Sequence, residues 1–470
     1  MIYLSKRKCI YFAVILFAMI VSSILIGILP LKSVASLKTA ILIQFFGFVL
    51  MFGALGYMNN ALITLYSVFM VVFYIFQNGQ LFLYAINMDI DLWAIRTFSV
   101  KRLQQSVFFS NLCMYSAFAA AVFSADRKKN WIAKKIDLIA AQDIYKIAFA
   151  GFFATGVIAY GLIAIKLLVW LGGGYSGVMV FERNVPSIVG LIEALFPAFC
   201  ILLIISGVKS GYRVTMAVLA FAGWGLVTAL IGDRTTGIGV IVVMLLMHYY
   251  GCVTFSVKKN RFAFYIGCIL VFCLIAFAAQ FRNHSQYSFG SLFKIVLDVI
   301  YELGFSFFPL AAMMSMCPNS HGYLYGESMI SSAISGFIPE SLDLLGLFSG
   351  MADKASIPLH WIEERYQYGF GTDCSLNAEV YANFGVFGFL AMFVICSIIA
   401  SMLKATDYES DQNIYSQYIG FVLLFGWFTL PRRRSYYIYN KIFWYVIVVG
   451  AFIGLMYSIS QKRGEHAKSE

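Results

Sequence analysis

Apolar residues recur along this chain in unbroken runs rather than in alternation with polar ones. A run of about 20 apolar residues can cross the roughly 30 Å hydrocarbon core of a bilayer as a helix. Lipid permits only helices and closed barrels, because only these satisfy their own backbone groups. The unbroken pattern therefore predicts an all-α polytopic membrane protein. We predict about twelve spans, at residues 9–29, 38–58, 61–86, 104–124, 144–170, 188–206, 213–231, 235–254, 263–281, 376–403, 414–430 and 442–460.

Residues 281–375 form the longest interval without such a run. Within it, apolar side chains at helical spacing predict an amphipathic helix over residues 291–304, which we expect to lie in the membrane interface or to cap the helix bundle. Two more short helices are predicted over 327–337 and 341–348, whereas 350–371 shows no periodicity. The pattern divides the chain into an N-terminal bundle of about nine spans (1–280), one large extracytoplasmic loop (281–375) and about three C-terminal spans (376–470).

Composition and charge agree with this interpretation. The chain is 61% hydrophobic and 12% charged, whereas ordinary soluble domains carry about 25% charged residues. The net charge of +11 is concentrated in short loops between spans and in Lys6-Arg7-Lys8 before the first span. The positive-inside rule places these segments, and with them both termini, in the cytoplasm. Membrane lipids are the expected partners of such basic loops, and without a basic domain outside the spans we expect no nucleic-acid binding.

Several arginines on the predicted outer side oppose this charge bias. A single outer arginine is explained by contact with lipid head groups or by pairing with a nearby acid. Arg432, Arg433 and Arg434 are adjacent in the last predicted outer turn and repel one another, so this explanation fits them poorly. Guanidinium groups bind phosphate through two parallel N–H groups, which suggests a lipid-linked diphosphate as ligand. The candidate diphosphate-binding residues are Arg234, Arg282, Arg365, Arg432, Arg433 and Arg434.

Transfer of a sugar from such a diphosphate to a hydroxyl group also requires a base. Glu379, at the predicted outer end of span 376–403, is one candidate, because partial desolvation at a membrane edge would suit it to accept a proton. His284 is the second candidate. The alternatives are an acidic residue that favours a helix N-terminus for Glu379 and an ordinary polar loop residue for His284. Asp89 and Asp91 resemble a metal-binding DxD pair, but this spacing is common by chance, and we expect neither a metal nor another cofactor.

Three segments of the chain resemble the Wzy-type polysaccharide polymerases. Ile231-Gly232-Asp233-Arg234-Thr235-Thr236-Gly237, followed by an apolar span, is similar to the family's Gly-x-Arg turn. Ala378-Glu379-Val380-Tyr381-Ala382-Asn383-Phe384-Gly385 is similar to the Ala-Glu-x-Tyr-x-Asn-Phe-Gly pattern that opens the span after the large loop. The arginines of residues 431–434 lie where such proteins keep a basic outer residue. In one departure, Asp233 replaces a small residue and could pair with Arg234.

The resemblance implies a GT-C-like glycosyltransferase of the cytoplasmic (inner) membrane. Such an enzyme joins polyprenyl-diphosphate-linked oligosaccharide repeat units on the outer side, without a metal. Its donor and acceptor are both lipid-linked glycans, and a chain-length regulator is a further candidate partner. Two alternatives stay open, namely an O-antigen ligase of similar architecture and a transporter or flippase of lipid-linked glycan. Transporters tend to carry charges near the bilayer midplane, and here such charges are sparse, with Lys166 and Glu193 as the main cases.

Overall fold

The protein is described by a computed structural model in which every regular element of the described residues is helical. The described residues are 6–31, 33–88, 90, 92–124, 139, 141–207, 211–253, 262, 264–270, 273, 292–338, 346–366, 373–407 and 414–469. The predicted all-α class is therefore confirmed over this part of the chain.

The described residues form a series of α-helices. In chain order they are α1 (Lys6–Ile28), α2 (Val34–Asn59), α3 (Leu65–Ala85), α4 (Trp93–Thr97), α5 (Val100–Ser124), α6 (Ala141–Asn184), α7 (Ser187–Ser206), α8 (Gly211–Ile231), α9 (Arg234–Tyr249), α10 (Leu292–Leu303), α11 (Phe307–Met316), α12 (Glu327–Phe337), α13 (Met351–Tyr366), α14 (Leu376–Phe384), α15 (Gly388–Asp407), α16 (Ile414–Gly426), α17 (Tyr436–Lys441) and α18 (Val449–Ser469). Three 3₁₀ turns (Gly304–Ser306, Gly385–Phe387 and Leu430–Arg432) and a π-helix (Ile442–Val448) join some of them.

Nine helical segments among the described residues are long and apolar enough to cross a membrane, and α9 and α16 are shorter apolar helices. The chain is therefore a polytopic membrane protein, as predicted. The predicted span at 263–281 lies largely outside the described residues. The nine segments are Lys6–Ile28, Val34–Asn59, Leu65–Ala85, Ala141–Gly174, Ile188–Ser206, Arg213–Ile231, Val296–Met316, Leu376–Leu403 and Tyr436–Ser460.

The segment Val296–Met316 differs from the sequence-based expectation. The predicted helix at 291–304 is present as α10, but it continues through Gly304 into α11 and becomes long enough to span a membrane. The sequence pattern predicts instead a short helix that lies in the interface or caps the bundle. Gly304 packs directly on the backbone of α3, where an added Cβ atom would lie 2.3 Å from the backbone nitrogen of Gln80. The glycine thus permits a close helix crossing and does not end the helix.

The prediction that residues 350–371 lack regular structure is wrong over helix α13. Its buried residues, Ala355, Pro358 and Ile362, recur at helical spacing. Pro358 lies inside the helix and obscured this pattern, since proline normally marks a helix boundary. The helix predicted at 327–337 is present as α12, whereas most of the one predicted at 341–348 lies outside the described residues.

The chain divides into two compact units. Unit 1 consists of Met1–Arg127, Val296–Asp407 and Thr429–Lys441. Its core contains a buried network of amide side chains around one serine. The Oγ atom of Ser110 on α5 donates a hydrogen bond to Oδ1 of Asn78 at 3.0 Å. The same atom accepts hydrogen bonds from Nε2 of Gln44 at 3.2 Å and from Nδ2 of Asn377 at 3.4 Å. All four side chains are buried. Polar contacts therefore join α2, α3, α5 and α14 in the interior of this unit.

Unit 2 consists of Lys128–Ile295, Tyr408–Phe428 and Ile442–Glu470, and its described core is aromatic and aliphatic. Phe196 on α7 is fully buried and lies 5.7 Å, between ring centroids, from both Phe152 and Tyr160 on α6. Its ring is 6.1 Å from that of Trp224 on α8. The buried polar groups of this unit include Thr155 and the hydroxyls of Tyr415 and Tyr418, and the two tyrosines on α16 donate hydrogen bonds to the backbone oxygens of Val446 and Tyr445. Its helices are therefore held mainly by close packing.

Candidate functional site

Glu379 and Asn383 lie one turn apart on helix α14, and both side chains are fully buried. The helix begins after Ser375, whose Oγ atom accepts a hydrogen bond from the backbone nitrogen of Ala378 at 3.4 Å. It ends at Gly385, whose φ of 56° favours glycine. We expected partial desolvation of Glu379, and its exposure of 0% goes further.

Helix α12 presents serines at the matching spacing. Ser332 donates a hydrogen bond through Oγ to Oε1 of Glu379 at 3.3 Å. Nδ2 of Asn383 donates to Oγ of Ser328 at 2.7 Å, and its Oδ1 accepts from the backbone nitrogen of Gly326 at 3.0 Å, just before α12. The two pairs occur in reverse chain order, so α12 and α14 run antiparallel where they meet.

The Glu379 carboxylate also binds the residue that follows the three arginines. Ser435 donates its backbone N–H to Oε2 at 2.6 Å and its hydroxyl to Oε1 at 2.9 Å. An electrostatic attraction to Arg434 adds to these bonds. A buried ion is tolerated only when such donors and charges replace its hydration. Glu379 therefore ties α12, α14 and the chain at Ser435 to one point.

Residues 432–435, which we call the arginine turn, are anchored to α13 through Arg434. Its Nη1 atom donates hydrogen bonds to the backbone oxygen of Ala355 at 2.8 Å and to Oγ of Ser356 at 2.5 Å. Only 13% of the Arg434 side chain is exposed. Arg434 is thus a largely buried link between two elements of unit 1.

Arg433 is the more accessible neighbour, with 37% of its side chain exposed. Its Nη1 atom lies 2.8 Å from the hydroxyl of Tyr437, and its guanidinium carbon lies 4.8 Å from the centre of that ring. Asp373, just before α14, is 3.2 Å from Nη1 of Arg433 and 3.9 Å from Nε of Arg434. One carboxylate therefore faces two arginines.

Cys374 is fully buried, and its thiol interacts electrostatically with Asp373, Glu379 and Arg434. Burial raises the pKa of its thiol, and the carboxylates of Glu379 and Asp373 raise this pKa further, whereas Arg434 opposes them. A thiol with a raised pKa stays protonated at neutral pH and reacts slowly with electrophiles. Cys374 can therefore report whether this part of unit 1 remains closed.

The other predicted residues are placed separately. Arg432 is half-buried in the arginine turn, and Arg365 is exposed in the last turn of α13. Arg234 begins α9 in unit 2. Arg282 and His284 lie outside the described residues, so their roles stay predictions.

Asp233, the departure from the family's usual pattern, caps helix α9. Its carboxylate accepts hydrogen bonds from the backbone nitrogen of Thr236 at 3.2 Å, from Oγ1 of Thr235 at 2.7 Å and from Oγ1 of Thr236 at 2.6 Å. Such an N-cap satisfies backbone donors at the start of a helix. Asp233 therefore has a structural role in forming this turn.

Within the part of the chain that the structure describes, no group of three or more His, Cys, Asp or Glu residues could hold a metal ion. Asp89 and Asp91, the DxD pair, lie outside it.

The sequence interpretation missed the residues that connect the site. Asp373, Ser332 and Ser435 each contact a predicted site residue. Asp373 and Ser435 were simply close in sequence to stronger candidates. For Ser332 a signal existed, because Ser328 and Ser332 have the same four-residue spacing as Glu379 and Asn383. Equal spacing on two helices permits two contacts between their faces.

Comparisons with known proteins give one family. Neither the curated proteins nor the solved structures include a match to this chain. Residues 9–463 match the family described as O-antigen polysaccharide polymerase Wzy. This match covers nearly the whole chain, including both units and the arginine turn, and confirms the resemblance seen in the sequence motifs. The chain is a membrane-embedded glycosyltransferase that belongs to the O-antigen polysaccharide polymerase Wzy family.

Proposed function

We propose that this polymerase binds the diphosphate of a polyprenyl-diphosphate-linked repeat unit at the arginine turn, on the outer side of the cytoplasmic membrane. The observation that carries the proposal is the pair of adjacent arginines, Arg433 and Arg434, held by named partners in unit 1. Arginine suits phosphate because its planar N–H groups match two phosphate oxygens. A site fixed before binding also loses less entropy when the ligand arrives.

The two arginines have different roles in this proposal. Arg434 is anchored on α13 and contributes charge from a fixed, largely buried position. Arg433 is held by Tyr437 and Asp373, and because it is more exposed its guanidinium is accessible to a phosphate. Further candidate residues for binding the two lipid-linked substrates are Arg432, Arg365, Arg234 and Arg282.

In the proposed reaction, a hydroxyl oxygen of the acceptor glycan forms a bond to the anomeric carbon of the donor. The bond from that carbon to the diphosphate oxygen breaks, and its electron pair leaves with the lipid diphosphate. The proton of the hydroxyl passes to a base, for which the predicted candidates are His284 and Glu379. The arginines offset the charge that develops on the leaving diphosphate, a role that a metal ion fills in other enzymes. We therefore propose a metal-independent transfer.

Topology and partners follow from the charge pattern. Basic loops support cytoplasmic termini and an extracytoplasmic active face. Both substrates are proposed to be lipid-linked glycans, which reach the site from the membrane. A chain-length regulator remains a proposed partner.

The test is reconstitution of the purified protein with its native lipid-linked repeat. We expect a ladder of longer lipid-linked glycans, and vesicles without protein serve as the control. A preparation that moves the repeat between leaflets but makes no ladder would support a flippase. One that passes a preformed polymer to another acceptor, again without a ladder, would support a ligase. Either result with folded protein would overturn the proposal.

A further inference from the structure

We infer that Glu379 is a positioning residue, which fixes the arginine turn through Ser435, and that it does not accept the proton of the acceptor hydroxyl. This inference rests on the proposed role of the arginine turn in diphosphate binding. Glu379 is the most conspicuous acidic residue of the sequence motif, and this positioning role differs from the catalytic role that the sequence predicts for it.

The hydrogen bonds of Glu379 are the first ground. A general base must come within about 2.6–3.2 Å of the group that it deprotonates, or reach it through one water. Oε2 of Glu379 accepts from the backbone of Ser435, and Oε1 accepts from the hydroxyls of Ser435 and Ser332. The residue is completely buried. A sugar hydroxyl could reach it only if α12 or the arginine turn moved away.

The position of the Ser435 amide is the second ground. This N–H belongs to the peptide bond that joins Arg434 to Ser435, so a hydrogen bond to it fixes the orientation of that peptide plane. The far end of the Arg434 side chain is fixed by Ala355 on α13. Arg434 is thus held at its backbone by Glu379 and at its guanidinium by α13. Arg433, the next residue back, is presented from a fixed backbone.

The simpler explanation of an acidic residue near a helix N-terminus does not account for this arrangement. Glu379 does lie in the first turn of α14, where negative charge is favourable. However, Ser375 already caps that end, and the Glu379 carboxylate is directed to a serine 56 positions away in sequence. Contact with a distant turn indicates a tertiary role.

The experiment compares Glu379→Gln with Glu379→Ala in reconstituted polymerase. Glutamine keeps an oxygen that can accept the Ser435 N–H, but it cannot take up a proton as a carboxylate does. We expect Glu379→Gln to lower kcat by less than about tenfold, whereas loss of a general base lowers rates by roughly 10²–10⁴-fold. Glu379→Ala should raise the KM for the lipid-linked repeat by about tenfold or more, with a smaller change in kcat. Glu363→Gln, which removes an exposed carboxylate from α13, is the matched control and should leave both constants unchanged.

Two further readouts separate positioning from a merely structural role. The shape of the kcat–pH profile should be the same in the wild type and in Glu379→Gln, because the proton acceptor is elsewhere. Labelling of Cys374 by a maleimide, quantified by mass spectrometry, should be slow in the wild type and in Glu379→Gln. It should increase in Glu379→Ala, where the contacts to Ser435 are lost. Labelling of Cys9, which is exposed, is the internal control.

A fall in kcat of more than a hundredfold in Glu379→Gln, with KM and Cys374 labelling unchanged, would overturn the inference and make Glu379 the base. Unchanged Cys374 labelling in Glu379→Ala would also overturn it. The labelling experiment requires no enzymatic activity, so it still tests positioning if the reconstituted wild type makes no ladder. A reconstituted wild type that makes no ladder would count against the proposed function alone.

Discussion

The cores of the two units differ in what holds their helices together. In unit 1, the described interior contains amides, serines and one carboxylate, which bond across α2, α3, α5, α12 and α14. In unit 2, aromatic rings on α6, α7 and α8 fill much of the described interior. The buried hydroxyls of Thr155, Tyr415 and Tyr418 donate to backbone oxygens, those of Gly151, Val446 and Tyr445 respectively. Unit 2 does contain an ion pair, between Lys166 and Glu193 at 2.9 Å, but each side chain remains 14% exposed.

The difference shows how a site can be fixed inside a bundle of apolar helices. Packing of small or apolar residues brings helices together, but it tolerates sliding between similar shapes. Hydrogen bonds between buried side chains have fixed partners and directions. The arginine turn is part of unit 1, whose polar contacts can hold it in place. Five substitutions test this comparison.

The largest effect on stability is expected from Phe196→Ala in unit 2. Its ring fills the space between α6, α7 and α8, and truncation of a buried phenylalanine costs about 3–5 kcal/mol. The free energy of unfolding in detergent measures this loss. Phe196→Leu, which keeps most of the volume, should cost clearly less. A cost below about 1 kcal/mol for Phe196→Ala would be well under the usual cost of such a truncation. It would mean that aromatic packing does not hold this unit.

The next effect is expected from Ser110→Ala in unit 1. The change removes few atoms but deprives Asn78 and Gln44 of a hydrogen-bond partner in a buried position. We expect a loss of about 1–2 kcal/mol in the free energy of unfolding. Ser401→Ala is the control in the same unit, because the Ser401 hydroxyl bonds only to the oxygen of Ser397 in its own helix. Equal effects of the two changes would contradict a core organised by polar contacts.

A smaller effect, on ligand binding, is expected from Asp373→Asn. The substitution removes a negative charge that faces both Arg433 and Arg434. Inorganic pyrophosphate, which shares the diphosphate group of the proposed substrate, should then inhibit the polymerase at concentrations about two- to fivefold lower, as expected for a partly exposed ion pair. Asp353→Asn, on the exposed face of α13, should leave inhibition unchanged. Weaker inhibition in Asp373→Asn would show that Asp373 supports anion binding instead of competing with it.

The smallest effect is expected from Thr155→Val in unit 2. The hydroxyl of Thr155 donates a hydrogen bond to the backbone oxygen of Gly151 in its own helix. Its loss should change the free energy of unfolding by less than about 0.5 kcal/mol. Thermal unfolding of the two proteins side by side measures the difference. A cost as large as that of Ser110→Ala would remove the contrast between the units.

The periodicity of the sequence predicts the helices of this protein well where no residue interrupts the pattern. The predicted helices at 291–304 and 327–337 agree with α10 and α12 within a few residues. The prediction failed at Gly304 and Pro358, two residues that normally end helices and here lie inside helical segments. Both are buried against neighbouring elements, and tertiary packing can override local preference. No local pattern reveals such packing.

The charged residues of the candidate site could be predicted from the sequence, but the partners that they contact could not. Arg433, Arg434 and Glu379 were identified from their chemistry, and the structure brings Glu379 and the arginine turn together through Ser435. The sequence places Glu379 and Ser435 far apart and gives no sign of their contact. Asp373 was not among the predicted site residues, although it faces two arginines. Charge can be read from residue identity, whereas partners depend on the folded chain.

The central claim is that Arg433, presented by the polar framework of unit 1, binds the diphosphate of the lipid-linked repeat. Its most direct test is the KM for the native lipid-linked repeat in reconstituted Arg433→Gln. The control is Lys101→Gln, which removes an exposed positive charge elsewhere in unit 1. We predict that Arg433→Gln raises KM by about tenfold or more, as expected for loss of a charge-assisted hydrogen bond, while Lys101→Gln behaves as the wild type. An unchanged KM in Arg433→Gln, with polymer made at the normal rate, would contradict the claim.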